Sequence, residues 1–335
     1  ARAIHEREDI ELVGALVHSP SKAGRDLGEV LGEAPWGITT TRDIDSIVAL
    51  QPDCVSFCEN GDVRPDEVIE RYCLLLEQGI NIVSTSIAGL VYDRAYDPDK
   101  LARINAAGKK GGASLYVSGV EPGFAADQLV LLLSTLSKKI TSIRTQDIFL
   151  YDRYPVEDVM RGVFGFGQDP GETAIIELPG VQSMTWAAPV RMVADALGVE
   201  LDDIRETYYK QATDRPLDVA VGRIEAGTVG AVRFETIGVV DGRDAIVIEH
   251  VNRMAADLAP DWPTSEHSGT YRVIIEGEPD IRLDLTLGDN DSYSDEGMVA
   301  TAMRIVNAIP YVCRARSGLV TSFELPLTVP GGAFA

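Results

Sequence analysis

Apolar residues in the first third of the chain fall into short runs that alternate with helical patterns across short connections, as in βα units of a parallel sheet. Residues 1 to 8 read as a helix, Ile10 to Val17 as a β-rich run, Asp43 to Leu50 as a helix and Cys54 to Phe57 as a short buried strand. Pro65 to Gln78 is helical, with proline and two acids in its first turn. A strand follows at Ile80 to Ser84. Asp97-Pro98-Asp99 then opens a helix through Ala107, ended by the glycines at 108, 111 and 112, before the strand Ser114 to Val120. This order predicts an α/β fold with a Rossmann-type doubly wound parallel sheet.

From about residue 125 the pattern changes. A helix to Leu136 leads into long alternating runs at Thr141 to Leu150, Ile204 to Gln211, Val229 to Val240, Ala245 to Arg253, Tyr271 to Glu276 and Ile281 to Leu287. They predict an α+β domain with a largely antiparallel sheet. Asp241-Gly242 between two such runs marks a hairpin. A last helical stretch, Gly297 to Ala308, carries Val299, Met303 and Val306 near three-and-four spacing and is expected to pack back on the first domain. The expected division is a dinucleotide-binding domain over 1–124, a substrate and dimerisation domain over 125–292, and a return helix with its tail over 293–335.

A Rossmann unit opens with a strand that feeds a GxGxxG turn, whose amides and following helix hold a pyrophosphate. This chain opens in a helix instead. The natural protein is therefore expected to carry that first strand and turn upstream, roughly twenty residues. The other reading is a non-catalytic dimeric protein that has lost the glycine loop.

Composition narrows the function classes. With 30 Lys and Arg against 52 Asp and Glu, the net charge of −22 repels phosphate backbones and anionic lipid, so neither nucleic acid nor membrane is an expected partner. The longest apolar cluster, Leu129 to Leu133, is far short of the ~20 residues a bilayer requires, and the first residues lack a secretory h-region. A cytoplasmic protein is expected. Cys54, Cys58, Cys73 and Cys313 form no CxxC pair, and with three of them among apolar residues they read as buried thiols. His5, His18, His250 and His267 stand far apart along the chain, and no metal is expected.

Two segments imitate sites. Gly162 to Gly167 has the letters of a dinucleotide loop but follows a helical stretch in the second domain, so its context fails; Phe164 and Phe166 could instead line an apolar pocket or simply pack a loop. The stretch Glu276 to Glu296 holds eight carboxylates and one arginine, yet Asp289-Asn290-Asp291 lacks the glycine and distal glutamate of a calcium loop. After the run Ile10 to Val17 comes His18-Ser19-Pro20-Ser21-Lys22-Ala23-Gly24-Arg25, with no acid before Asp26. An acid at this place binds the ribose hydroxyls of NAD, whereas hydroxyls and cations accept the 2′-phosphate of NADP. Ser19, Lys22 and Arg25 thus favour NADP, with NAD possible; the alternative is that the two cations are ordinary surface charges on a turn.

Ser118-Gly119-Val120-Glu121-Pro122-Gly123-Phe124 follows a predicted parallel strand, which puts Glu121 at the carboxyl edge of the sheet where ligands bind. Pro122 keeps Glu121 extended and Gly123 lets the chain turn, which suits a fixed acid or base. An acid before a helix start also gains ~0.3–1 kcal/mol from the helix dipole, and spacing alone does not separate the two roles.

The run from Ile10 to Arg25, the SGVEPGF turn, the GFG segment and the NAIP stretch at Asn307 to Pro310 resemble the amine dehydrogenase and 2,4-diaminopentanoate dehydrogenase family, which has a dihydrodipicolinate-reductase-like fold. The resemblance implies that Glu121 occupies the position of the glutamate that marks amine dehydrogenases. Dihydrodipicolinate reductases carry a His-His pair and a Lys…PSGT motif, and neither occurs in this sequence. The implied activity is NAD(P)H-dependent reductive amination of a small ketone or aldehyde with ammonia, and its reverse, by a homodimer. Phe149, Tyr151, Phe164, Phe166, Trp186 and His267 are the candidate pocket, and Asn307 could reach the nicotinamide. With no arginine cluster among them, neutral carbonyls are favoured over amino acids. A diamino-acid or other imine substrate is the alternative.

Overall fold

The computed structural model describes residues 1–61 and 64–331. The chain begins with helix α1 (Arg2–His5), strand β1 (Ala15–Leu16), helix α2 (Leu27–Val30) and strand β2 (Thr40–Thr41). It continues with α3 (Ile44–Ala49), β3 (Cys54–Phe57), α4 (Pro65–Glu77), β4 (Asn81–Ser84), α5 (Pro98–Gly111) and β5 (Ser114–Val117). After α6 (Gln128–Ser134) come β6 (Lys139–Leu150), α7 (Val181–Leu197), β7 (Asp203–Ala212), β8 (Leu217–Val219) and β9 (Gly222–Ile224). Strands β10 (Val229–Val240), β11 (Arg243–Arg253), β12 (Gly269–Glu278) and β13 (Ile281–Thr286) follow, then α8 (Tyr293–Val306), α9 (Ile309–Val312) and β14 (Gly318–Val320).

The chain divides into two compact units. The first comprises Ala1–Ile87, Asp97–Val117 and Ala302–Ala335, and the second Ala88–Tyr96 and Ser118–Thr301. The tail residues 332–335 of the expected return segment lie outside the described residues.

In the first unit β14, β5, β4 and β3 form an all-parallel sheet in that order, and β1 pairs in parallel with β2. Helix α4 starts on Pro65 with Asp66 and Glu67 in its first turn. It buries Val68, Ile69, Tyr72, Leu75 and Leu76, a one-sided stripe in which each large side chain contributes about 1.5–3 kcal/mol. Two sequence expectations change here. The run Ile10 to Val17 pairs only at Ala15 and Leu16, because only Thr40 and Thr41 offer it a ladder. Helix α5 runs through Gly108 to Gly111 rather than stopping at Ala107. Gly108 serves close packing, since a Cβ there would stand 2.6 Å from the backbone nitrogen of Gly318. Ile305, Val306, Ile309 and Val312 bury themselves with Ile4, Val83 and Tyr116, while Val299 is exposed.

The second unit is a six-stranded mixed sheet in the order β13-β12-β6-β11-β10-β7, with β6 and β11 parallel and the other neighbours antiparallel. Asp241 and Gly242, both at positive φ, make the turn between β10 and β11. One face of the sheet packs Ile143, Ile246, Ile248, Val273 and Ile275 against Val190, Val193 and Ala194 of α7 and Leu129 and Val130 of α6. Among the described residues no helix is long and apolar enough to cross a membrane.

Candidate active site

The loop after β5 is built by its own hydrogen bonds. Ser118 Oγ donates to the Gly123 carbonyl at 3.1 Å, and the Gly123 N–H donates to the carboxylate of fully buried Asp127 at 2.7 Å. Gly123 has φ +120°, and a Cβ there would stand 2.4 Å from the Gly119 nitrogen. Only glycine fits. The peptide between Glu121 and Pro122 is cis.

Held by this loop, the Glu121 side chain is 6 % exposed. Its Oε2 accepts a hydrogen bond from Trp186 Nε1 of α7 at 2.9 Å and lies 3.4 Å from His250 Nε2. Among the described residues its Oε1 is buried without a hydrogen-bond partner. On the other side of the imidazole, His250 Nδ1 is 3.9 Å from Asp147 Oδ1, which accepts from Asn252 Nδ2 at 3.2 Å.

Register explains this meeting. His250 pairs with Phe234 on β10 and with Asp147 on β6, and Asp147 pairs with Tyr271 on β12. Residues directly opposite across a sheet share a face, so Phe234, His250, Asp147 and Tyr271 form one row. The imidazole stacks on Phe234 at 4.5 Å between centroids, and Trp186 meets both rings, 4.6 Å from His250 and 5.0 Å from Phe234.

Burial pushes the Asp147 carboxyl up to about 6, although the nearby His250 charge works against the shift. For His250, burial disfavours the charged ring, but Glu121 and Asp147 outweigh it and hold its pKa above the ordinary value. Two carboxyls around one imidazole thus retain a proton near neutrality, the setting general acid–base chemistry needs. One oxygen or nitrogen from each of the three residues lies within 4.8 Å of the others. A cation in their midst would have to share these oxygens with the donors Trp186 and Asn252.

The other sequence candidates are distributed as follows. Phe149 is buried beside Tyr271 and Tyr293, and Tyr151 lies 6.4 Å from Phe149 and 6.1 Å from Phe164. Phe164 in turn lies 6.4 Å from Phe166 and 5.7 Å from Phe234, so five of the six pocket candidates join one aromatic chain that reaches Trp186. Phe166 is wholly buried. His267 is exposed, its backbone N–H bonded to Ser265, and among the described residues it makes no ring contact with this chain. The histidines stand far apart along the sequence, yet in space His250 meets two carboxylates, because cross-strand register brings together residues a hundred positions apart.

In the first unit, Lys22 and Arg25 are exposed at the end of β1 and form no ion pair among the described residues. Ser19 Oγ bonds Ser21 Oγ at 2.8 Å. The nearby acid, Asp26, is occupied by the N–H groups of Gly28, Trp36 and Gly37. Asn307 Oδ1 accepts from Arg7 at 2.8 Å.

Sequence reasoning missed Asp147, His250, Asn252 and Phe234. The available signal was parity: Ile143, Thr145, Asp147 and Phe149 share a strand face, as do Ile246, Ile248, His250 and Asn252, so polar residues sit where alternation calls for apolar ones.

Residues 124–331 match the family model of the 2,4-diaminopentanoate dehydrogenase C-terminal domain. The chain is 40% identical over 332 residues to an amine dehydrogenase of Streptomyces virginiae, covering 97% of this chain and 92% of that one. It is 26% identical over 341 residues to the 2,4-diaminopentanoate dehydrogenase of Acetoanaerobium sticklandii, covering 96% and 88%. The structure of an amine dehydrogenase from Mycobacterium smegmatis superposes with a TM-score of 0.75 at 22% identity, over 96% of this chain and 90% of that one, which speaks for the fold. On the strength of the family match and the 40% relative, the chain belongs to the amine dehydrogenase and 2,4-diaminopentanoate dehydrogenase family.

Proposed function

We propose that this protein is a nicotinamide-dependent amine dehydrogenase, converting a small ketone or aldehyde and ammonium to an amine and, in reverse, deaminating the amine. The observation that carries this reading is Glu121, buried and fixed by its loop, with one oxygen engaged by Trp186 and His250 and the other without a partner. The 40% identical amine dehydrogenase supports it.

Glu121 takes a proton from ammonium, leaving ammonia to attack the carbonyl carbon. The proton returns to the carbinolamine hydroxyl, which departs as water, and the regenerated carboxylate faces the positive charge of the iminium. A nicotinamide cofactor, when bound, supplies the hydride that completes the reduction. Trp186 fixes the carboxylate, and the Asp147–His250 pair holds a further proton behind it. The aromatic chain from Phe149 to Trp186 excludes water from the organic part of the substrate.

Ser19, Lys22 and Arg25 are proposed to hold the 2′-phosphate of NADP, with NAD as the weaker cofactor, and Asn307 to reach the nicotinamide. That Lys22 and Arg25 form no ion pair among the described residues supports the first assignment. A homodimer and a cytoplasmic setting belong to the same reading; sedimentation equilibrium tests the dimer. Among the described residues, the one arginine bordering the cavity beside Glu121 is Arg272, whose guanidinium is bonded to Asp284 and Gln146 on the opposite face of the sheet, which favours neutral carbonyls over carboxylated ones. The alternative, a diamino-acid substrate, is favoured by the family model and by the 2,4-diaminopentanoate dehydrogenase relative.

The test is NAD(P)H consumption with a panel of carbonyls, with and without ammonium, for wild type and Glu121→Gln. Ammonium-dependent turnover that the variant lacks, with cofactor binding retained, is the expected result. Near-normal turnover by Glu121→Gln overturns the assignment.

A further inference from the structure

Beside Glu121 lies a cavity of about 10 Å³. That is roughly the space of one water-sized sphere. Its lining includes the side chains or backbone of Glu121, Ala125, Ala126, Thr145, Asp147 and Ile248. Two lining residues carry buried oxygens without a hydrogen-bond partner among the described residues, Glu121 Oε1 and Thr145 Oγ1. Thr145 is 7 % exposed and stands on β6, two positions before Asp147 on the same face. Leaving a hydroxyl and a carboxylate oxygen buried without partners is costly, about 1–3 kcal/mol for each. Two such oxygens on one water-sized cavity call for a small guest rich in N–H or O–H donors.

We infer that this cavity is the ammonium subsite, in which Thr145 Oγ1 and Glu121 Oε1 accept hydrogen bonds from the nitrogen that becomes the product amine. The assignment rests on the amine dehydrogenase reading and adds to it a residue and a place. Ala125, Ala126, Ile248 and Tyr271 also border the space, which at this size admits ammonium or water but no alkyl substituent. The neighbouring charges are the carboxylates of Glu121 and Asp147 with the His250 ring between them, while the guanidinium of Arg272 is bonded to Asp284, Gln146 and the Thr264 carbonyl on the opposite face of the sheet. Within the subsite one N–H bond of ammonium breaks and its proton passes to Glu121 Oε1, so that ammonium and carboxylate become ammonia and carboxylic acid.

Thr145→Val keeps the volume and removes the hydroxyl; Thr145→Ser keeps the hydroxyl and removes a methyl. Steady-state amination is measured with each of the three substrates varied in turn. For Thr145→Val the KM for ammonium is expected to rise roughly five- to tenfold, the loss of one hydrogen bond, with the KM values for carbonyl and cofactor within twofold of wild type. Thr145→Ser is expected to recover most of that loss. An unchanged ammonium KM in Thr145→Val overturns the subsite, as does a Ser variant impaired as much as Val, which would make packing the cause. A lower kcat in both directions at constant ammonium KM would identify a water site instead. Wild-type enzyme that oxidises NAD(P)H with a carbonyl equally well without ammonium would overturn the amine dehydrogenase reading, and the subsite with it.

Discussion

His250 and Asp147 stand directly opposite each other on the two parallel strands of an otherwise antiparallel sheet, Nδ1 of one 3.9 Å from Oδ1 of the other. Glu121 approaches the same imidazole from the other nitrogen. The histidine therefore sits between a carboxyl from the loop after β5 and a carboxyl fixed in the sheet, and its protonation depends on both. Asp147→Asn leaves the size of the side chain unchanged and removes one of the two charges that keep the imidazole protonated. Its kcat is expected to fall about tenfold to a hundredfold, less than the 10²–10⁴ of a group that transfers the proton itself. The pH profile of kcat should shift to lower pH as the imidazole loses its proton more readily. A profile superimposable on wild type would remove Asp147 from the proton machinery.

Trp186→Phe separates two roles of one side chain. The variant keeps a ring against Phe234 and His250 and deletes the N–H that donates to Glu121 Oε2 at 2.9 Å. A hydrogen bond to a charged partner is worth about 1.5–3 kcal/mol. If it orients the carboxylate for reaction, kcat/KM should fall by at least about tenfold, with cofactor affinity unchanged. A loss of thermal stability alone, with kcat/KM retained, would reduce Trp186 to packing.

Much of the architecture was legible in the sequence, for a physical reason. The boundaries of α4, the Asp241–Gly242 turn and the alternation along β10 and β11 are local properties of propensity, capping and period, and the chain carries them in adjacent residues. The Glu121 turn was legible for the same reason, since Pro122 and Gly123 constrain it from within. Asp147 and His250 were not. Their partnership depends on which strand lies beside which and in what register, and β6 pairs in parallel with a strand about a hundred residues further on. Parity marks each as a polar residue on an inward face, but parity on one strand does not say what stands opposite. The shrinkage of Ile10 to Val17 to a two-residue strand has the same origin, because the length of a strand is set by its partner.

Gly123→Ala tests the loop that carries Glu121. The backbone there, at φ +120°, is a conformation that L side chains rarely adopt, and the added methyl would meet the Gly119 nitrogen and oxygen at 2.4 and 2.9 Å. A backbone strain of this kind costs of the order of 1–3 kcal/mol before any clash is counted. The variant should melt several degrees below wild type, and whatever fraction is folded should have lost most of its turnover, because Glu121 moves with the loop. Full activity in a folded Gly123→Ala protein would show that the loop does not need its present shape.

Cofactor choice is tested at the end of β1. Lys22 and Arg25 carry charges that no carboxylate neutralises among the described residues, whereas Asp26 is committed to three backbone N–H groups. Replacing both cations by alanine should weaken NADPH binding about tenfold or more, as expected for lost charge-assisted contacts, and change NADH binding by no more than about twofold. Fluorescence titration of the two reduced cofactors, at two salt concentrations, measures this. Parallel losses for NADPH and NADH would mean that neither residue reads the 2′-phosphate.

The buried cluster also sets a dependence of stability on pH, and its sign follows from two raised values. Asp147 titrates at about 6 in the fold against an ordinary 3.8, so the folded state keeps a proton that the unfolded chain releases. The stability this contributes is complete below about pH 4 and is lost as the pH rises through 6. His250, also raised, contributes stability present below its ordinary 6.5 and lost above it. Both act in one direction, against the many exposed carboxylates whose values are lowered by ion pairs, such as Asp9 and Asp66, which lose their contribution on acidification. A difference measurement isolates the cluster. The Tm of wild type minus that of Asp147→Asn should be largest near pH 4 and decline towards pH 7, by at most about 3 kcal/mol, or roughly 5 °C for a chain of this size. A difference that stays constant or grows over that interval would mean that Asp147 is ionised in the fold at low pH, with His250 as its counter-ion throughout.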